Sequence, residues 1–315
     1  MTRLQPNQNP LCFRPFSMSV FLLVLPDFLL IGLGWLLFNR LRFSSEFFHG
    51  AEQLVYFVLF PALLFHSITQ TPLSLSGTYT LLQASVGVML FGVAMSWLAM
   101  PILRPDPLAH ASVAQCGYRF NTYMGLSLAG SLAGSTGQTV MAVLVGFAVP
   151  ISNIAAVHAL ARQNGGKALR EIVRNPFIIA TVLALLCNFL RIPIPAAIDT
   201  ALSRLGACAI AIGLMCVGAT LSLQGARNAG TLMTWIITLR LMVMPLAAIF
   251  ISWILDLSLV ESQILLLFGA LPTASSAYVL AARMGGDGRL VAVTMSIGTL
   301  LSALTIPFWL MMGSA

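Results

Sequence analysis

The sequence predicts an all-α integral membrane protein of ten transmembrane helices arranged as two inverted five-helix repeats with crossed, broken helices. Three observations lead there. The chain of 315 residues is 58% hydrophobic and only 8% charged, against about 25% charged in soluble domains. Its apolar stretches are continuous rather than alternating, which argues against a β-barrel. Its two halves resemble each other when offset by about 150 residues.

The apolar runs lie at about 17–39, 51–68, 77–101, 110–132, 138–160, 176–190, 198–222, 231–254, 262–282 and 289–312. A crossing needs roughly 20 apolar residues, so ten crossings with short connections consume the chain and leave no room for a sizeable soluble domain. The domain organisation is then a polar segment at 1–16, a first five-helix repeat at 17–160, a basic linker at 161–175 and a second repeat at 176–315. The first span reads as retained, because it is full length and shows no small-residue cleavage pattern.

The net charge of +7 does not point to nucleic acid, since the basic residues sit mainly between apolar runs and form no patch interleaved with aromatics. Counted on alternate sides, Arg40, Arg42, Arg104, the basic residues of 161–175, Arg227, Arg283 and Arg289 share one face; Arg3, Arg14, Arg191 and Arg204 share the other. The positive-inside rule puts the 161–175 loop in the cytoplasm and both termini on the outer, periplasmic side. Cys116, Cys187, Cys208 and Cys216 lie in apolar runs without CxxC spacing, and read as small packing residues. No cofactor, metal site or enzyme motif of the HExxH, GxSxG or phosphate-loop kind is present in the sequence.

Two spans carry polar interruptions at corresponding places: CGYRFNTYMGLSLAGSLAG at 116–134 and FGALPTASSAYVLAARMGG at 268–286. In this pairing Gly117 matches Gly269 and Asn121 matches Thr273, and the Gly-containing stretch STGQ at 135–138 reads as the turn after the first. Five spans per half is an odd number, so the second copy inserts upside down relative to the first. At membrane depth a helix break survives only where it is buried or lines a cavity. Pro272 removes a backbone donor, and the hydroxyls of Thr273, Ser275 and Ser276 can satisfy what it frees; the bland reading is a simple kink. Half-helices crossing at the midplane direct N–H ends toward an anion.

Arg119 costs a few kcal/mol in a span. It either holds a substrate carboxylate bidentately or reaches headgroups or an acidic partner. Asn121, with Thr122 beside it, is better placed as a ligand contact, because an amide both donates and accepts. Arg240 is read chiefly as structural. Asp27 is the carboxylate well inside an apolar run, and either pairs with an arginine or titrates during turnover. Asn153 faces a cavity or bonds a neighbouring helix, His66 and His158 lie near span ends, and Gly130 with Gly134 makes a GxxxG packing pattern.

RFNTYMGLSLAG at 119–130, NPFIIATVLALLCNF at 175–189 and LPTASSAYVLAARMGGD at 271–287 resemble the auxin efflux carrier family in its bacterial branch, which includes malonate-carrier-like proteins. The resemblance runs in order over nearly the whole chain. It implies a fold similar to bile-acid–sodium symporters and sodium–proton antiporters, with a scaffold domain from spans 1, 2, 6 and 7 and a mobile transport domain from spans 3–5 and 8–10. It further implies a bacterial inner (plasma) membrane location, contact with membrane lipid, and a homodimer through the scaffold. The plant members have prolines in both crossover segments; here the first carries Asn121 and Thr122 instead. The expected function is secondary-active or facilitative transport of a small mono- or dicarboxylate such as malonate by elevator-type alternating access, with proton coupling favoured over sodium. The alternative is a membrane sensor or channel-like protein on the same fold.

Overall fold

The computed structural model describes residues 17–70, 75–164, 176–221 and 230–313. The polar segment 1–16 lies outside these, as does most of the 161–175 linker. Helix α1 is Ser17–Asn39 and α2 is Ser45–Gln70, with a π-helical turn at Val55–Leu59. Helix α3 is Leu75–Leu103, and α4 is Pro107–Val113 followed by a 3₁₀ turn, Ala114–Gly117. Helix α5 is Thr122–Asn164, bent sharply at Ala133 and Gly134 into two arms. The second half holds α6 (Pro176–Phe189), α7 (Ala196–Ala219), α8 (Gly230–Ile254, with a π-helical turn at Leu239–Val243), α9 (Leu259–Ala270), α10 (Ser276–Arg283) and α11 (Gly288–Met312). Where they are described, the apolar runs named above are helical, apart from the breaks at 118–121 and 271–275 and the run ends at 190 and 220–221. By length and composition, six of the described helical stretches suffice to cross a membrane; the protein is an integral membrane protein.

Two boundaries and one packing motif differ from the sequence reading. The second helix opens at Ser45, six residues before the apolar run, because Ser44 caps it by accepting from the Phe47 N–H at 3.2 Å and polar residues are tolerated in that first turn. STGQ is not a turn: Ser135–Gln138 is helical, and the reversal lies at Ala133–Gly134. Gly134 has φ 59° and ψ −146°, a region that essentially only glycine occupies. Nothing lies within 4 Å of where its Cβ would be, so this glycine serves the bend and not close helix packing, and the GxxxG reading is corrected accordingly.

Packing sorts the helices. Helix α1 lies along α7, and the second half of α2 packs on α6 and α7. The α1–α7 approach demands glycine, since a Cβ at Gly34 would collide with the Met215 carbonyl and one at Gly218 with that of Ile31. The other set packs α3 on α5, α8 on α3 and α9, and α9 on α5 and α11. Its core includes Met124, Met141, Leu144, Phe268 and Leu271, all fully buried.

Proline shapes α8. Pro245 brings no N–H to the helix, and the π turn just before it leaves the Leu241 carbonyl to another donor. The indole N–H of Trp309, on α11, donates to that carbonyl at 2.8 Å.

Candidate functional site

Two helix breaks meet inside the second set. The first spans Tyr118–Asn121, between the 3₁₀ turn and α5; the second spans Leu271–Ser275, between α9 and α10. They touch through the backbone: the Asn121 N–H donates to the Pro272 carbonyl at 2.8 Å. The Thr273 hydroxyl donates to the Cys116 carbonyl at 2.7 Å, and the rings of Phe120 and Phe268 lie 4.5 Å apart between centroids. The first break thus forms without a proline. Asn121 takes proline's place in ending one element and opening the next, its side-chain oxygen capping the Met124 N–H at 3.2 Å.

A break has two kinds of end, and the protein treats them differently. The carbonyl ends are satisfied internally: Cys116 by Thr273, and Phe268 and Leu271 by the guanidinium of Arg240 at 2.8 and 2.5 Å. Arg240, 1% exposed on the π turn of α8, is therefore a cap on the C-terminal end of α9, where a cation also complements the helix dipole. The sequence reading left its partner unnamed, and only the π turn aims it at the break.

Arg119 is 7% exposed. Its Nη2 donates to the Asn153 side-chain oxygen at 2.7 Å and its Nη1 to the Ser276 hydroxyl at 3.0 Å. Asn153 comes from the second arm of α5 and Ser276 from the start of α10, so Arg119 ties three segments together. Among the described residues no carboxylate pairs with it. Arg119, Asn121, Asn153, Pro272, Thr273, Ser275 and Ser276 are thus gathered at one place, with Thr122 opening the half-helix beside them. Asp27 is elsewhere, bonded to Ser127 at 2.6 Å and not to an arginine. His66 is bound to Asp199 at 3.0 Å, and His158 stacks on Trp97.

Several buried polar atoms around the breaks lack a hydrogen-bond partner among the described residues: Arg119 Nε, Asn121 Nδ2, Arg240 Nη1, the Tyr118 hydroxyl and Gln115 Oε1. Such groups are rare in native interiors, and each calls for an explanation. Three are obligate donors, a fourth can donate, and one is an acceptor. Sequence reasoning missed Gln115 and Tyr118; their signal was polarity inside an otherwise apolar run, immediately before and at the start of the interruption already singled out.

A buried, donor-rich junction of broken helices in an apolar bundle is the kind of arrangement in which membrane transporters hold small molecules. Comparison with known proteins agrees. Residues 156–310 match the family described as "Membrane transport protein", so the second half of the chain is similar to that family. Over 298 residues it is 25% identical to the "Putative malonate transporter" of Rhizobium meliloti (strain 1021), covering 90% of this chain and 92% of that one. It is 24% identical over 303 residues to "Uncharacterized transporter YfdV" of Escherichia coli (strain K12), covering 91% and 95%. It is 26% identical over 300 residues to an "Uncharacterized transporter" of Methanothermobacter thermautotrophicus, covering 93% and 95%. The resemblance to the auxin efflux carrier family is borne out.

Proposed function

We propose that this protein is a carrier for a small organic anion, a mono- or dicarboxylate of malonate's size, bound where the two helix breaks meet. The observation that carries this reading is Arg119: a buried guanidinium held by two neutral oxygens, with no carboxylate paired to it among the described residues. A cation in that setting is expensive unless an anion meets it. The unpartnered donors of Asn121 and Tyr118 favour the same sign of ligand. Asn121, Thr122, Arg119, Thr273, Ser275 and Ser276 form the site, with Pro272 holding the second break open and Asn153 orienting the guanidinium. The malonate named for the Rhizobium relative sets the size of the first probe.

Movement is elevator-like: α1, α2, α6 and α7 form the scaffold, and the remaining helices carry the site past it. The two sets of packing contacts support that division. The inverted repeat, 17–160 against 176–315, is supported by the paired breaks and by glycines with positive φ at corresponding turns, Gly134 at 59° and Gly285 at 68°. A bacterial inner-membrane location with both termini periplasmic, and a homodimer through the scaffold, complete the reading.

The test is counterflow of labelled malonate in proteoliposomes, with succinate, lactate and an indole carboxylate as competitors. Saturable exchange, reduced at least tenfold by Arg119→Gln, is expected. Absence of exchange with every carboxylate, from protein shown to be folded, sinks the proposal; flux that does not saturate marks a channel instead.

A further inference from the structure

Asp27 sits in the middle of α1, 3% exposed. The Ser127 hydroxyl, on the first arm of α5, donates to its Oδ1 at 2.6 Å, and its Oδ2 is buried without a partner among the described residues. Helix α1 packs on α7, α11 and α5. Of the titratable and charged side chains on those helices, α7 carries Asp199, Arg204, Cys208 and Cys216, α11 carries Arg289, and α5 carries Tyr123, His158 and Arg162. Asp27 is hydrogen-bonded or ion-paired to none of them. Among the described residues an ionised carboxylate there has no cation paired to it and one hydroxyl to solvate it, which an apolar interior penalises heavily.

Ser127 has a second face. It lines a cavity of about 380 Å³ together with Ser131, Ser135, Gln138 and Ile210. Three hydroxyls and an amide on two arms of one bent helix make the lining largely polar, and Ile210 contributes an apolar residue from α7. The Asp27–Ser127 bond therefore lies beside an open polar cavity that Ser127 also lines, and it crosses the seam between the two sets of helices.

We propose that Asp27 is the group that couples carboxylate movement to a proton, reached through the hydroxyl-lined cavity at Ser127. The inference rests on the carrier reading above. With the seam closed, the neutral carboxyl sits against Ser127; sliding of the α5 arm past α1 breaks that bond and opens Asp27 to the cavity. There its O–H bond breaks, the proton passes to water in the cavity, and the carboxylate is left solvated. The arm returns only after the carboxylate has taken a proton from water on the opposite side of the membrane, forming anew the O–H bond that was broken, so each passage of the site carries one proton across.

Two assays on the same proteoliposomes separate this inference from the carrier reading. The first is malonate exchange at equal pH inside and out. The second is net uptake driven by an exterior one pH unit more acid, with the membrane potential clamped by potassium and valinomycin and passive entry subtracted using protein-free vesicles. Wild type is expected to exchange and also to accumulate malonate about tenfold, the ratio one proton per substrate supports, with interior acidification followed by a trapped pH dye. Asp27→Asn should exchange without accumulating, and Asp27→Glu should restore accumulation. Ser127→Ala, which leaves the carboxyl in place, should shift the pH of half-maximal uptake. Wild type that exchanges but does not accumulate, accumulation driven by sodium and not by pH, or accumulation undiminished in Asp27→Asn overturns the proton link alone. No exchange in wild type overturns the carrier reading and the inference with it.

Discussion

The N–H of Asn121 donates to the carbonyl of Pro272 across 2.8 Å, so two helix breaks more than 150 residues apart in sequence share one backbone hydrogen bond. Each break supplies what the other lacks. The second offers a carbonyl that no helix can use, and the first offers an amide left over where its helix begins. The Thr273 hydroxyl repeats the exchange in the opposite sense, on the Cys116 carbonyl.

Asn121→Ala removes the cap on Met124 and the side-chain donor at the junction, but leaves the backbone bond to Pro272. The expected cost in stability is about 1 kcal/mol, read as a lower melting temperature in detergent. Exchange should fall at least tenfold, much more than that small loss of fold would produce. Asn121→Asp, which keeps the cap, should restore the melting temperature and not the exchange.

Arg119 and Arg240 should fail differently. Arg240→Met strands the carbonyls of Phe268 and Leu271, an expected loss of about 2 kcal/mol or more in stability. Arg119→Gln relieves a buried charge that no described carboxylate offsets, so thermal unfolding should change little while affinity for the anion falls. Equal effects of the two variants on melting and on the half-saturating malonate concentration would refute the division of roles.

Trp309→Phe removes the donor to the Leu241 carbonyl, at a cost of about 1 kcal/mol. Pro245→Ala puts a backbone N–H back into that stretch of α8. In the double variant the penalty of Trp309→Phe should shrink, a coupling that a double-mutant cycle of thermal stabilities reads directly.

Gly34→Val and Gly218→Val each place side-chain atoms into a carbonyl of the facing helix. Both should break the α1–α7 packing and sharply lower the yield of folded protein from membranes. Gly32→Val, two residues away with nothing within 4 Å of the added Cβ, should be tolerated in the same expression assay.

Much of the architecture was legible because membrane helices announce themselves by continuous apolar length. Pro272 marked the second break, and the polarity of Arg119 and Asn121 marked the first. What escaped was local and three-dimensional. The sequence reading set the bend at Gly134 one residue late, since STGQ looks like a turn while the φ that makes one belongs to the glycine before it. The start of α2 was missed because its first turn is polar and owes its shape to the Ser44 cap.

The amino-acid order alone determined that the chain is a membrane-embedded helical protein with two interrupted spans, because burying backbone in hydrocarbon allows few alternatives. Tertiary structure decided which interrupted groups answer one another: that Asn121 meets Pro272, that Arg240 caps α9 while Arg119 lies at the junction with only neutral partners, and that Asp27 finds Ser127 and not an arginine. Sequence records that these groups are polar and costly to bury, whereas the partner that offsets each cost is set by helices packing across the bundle, at separations no local pattern encodes.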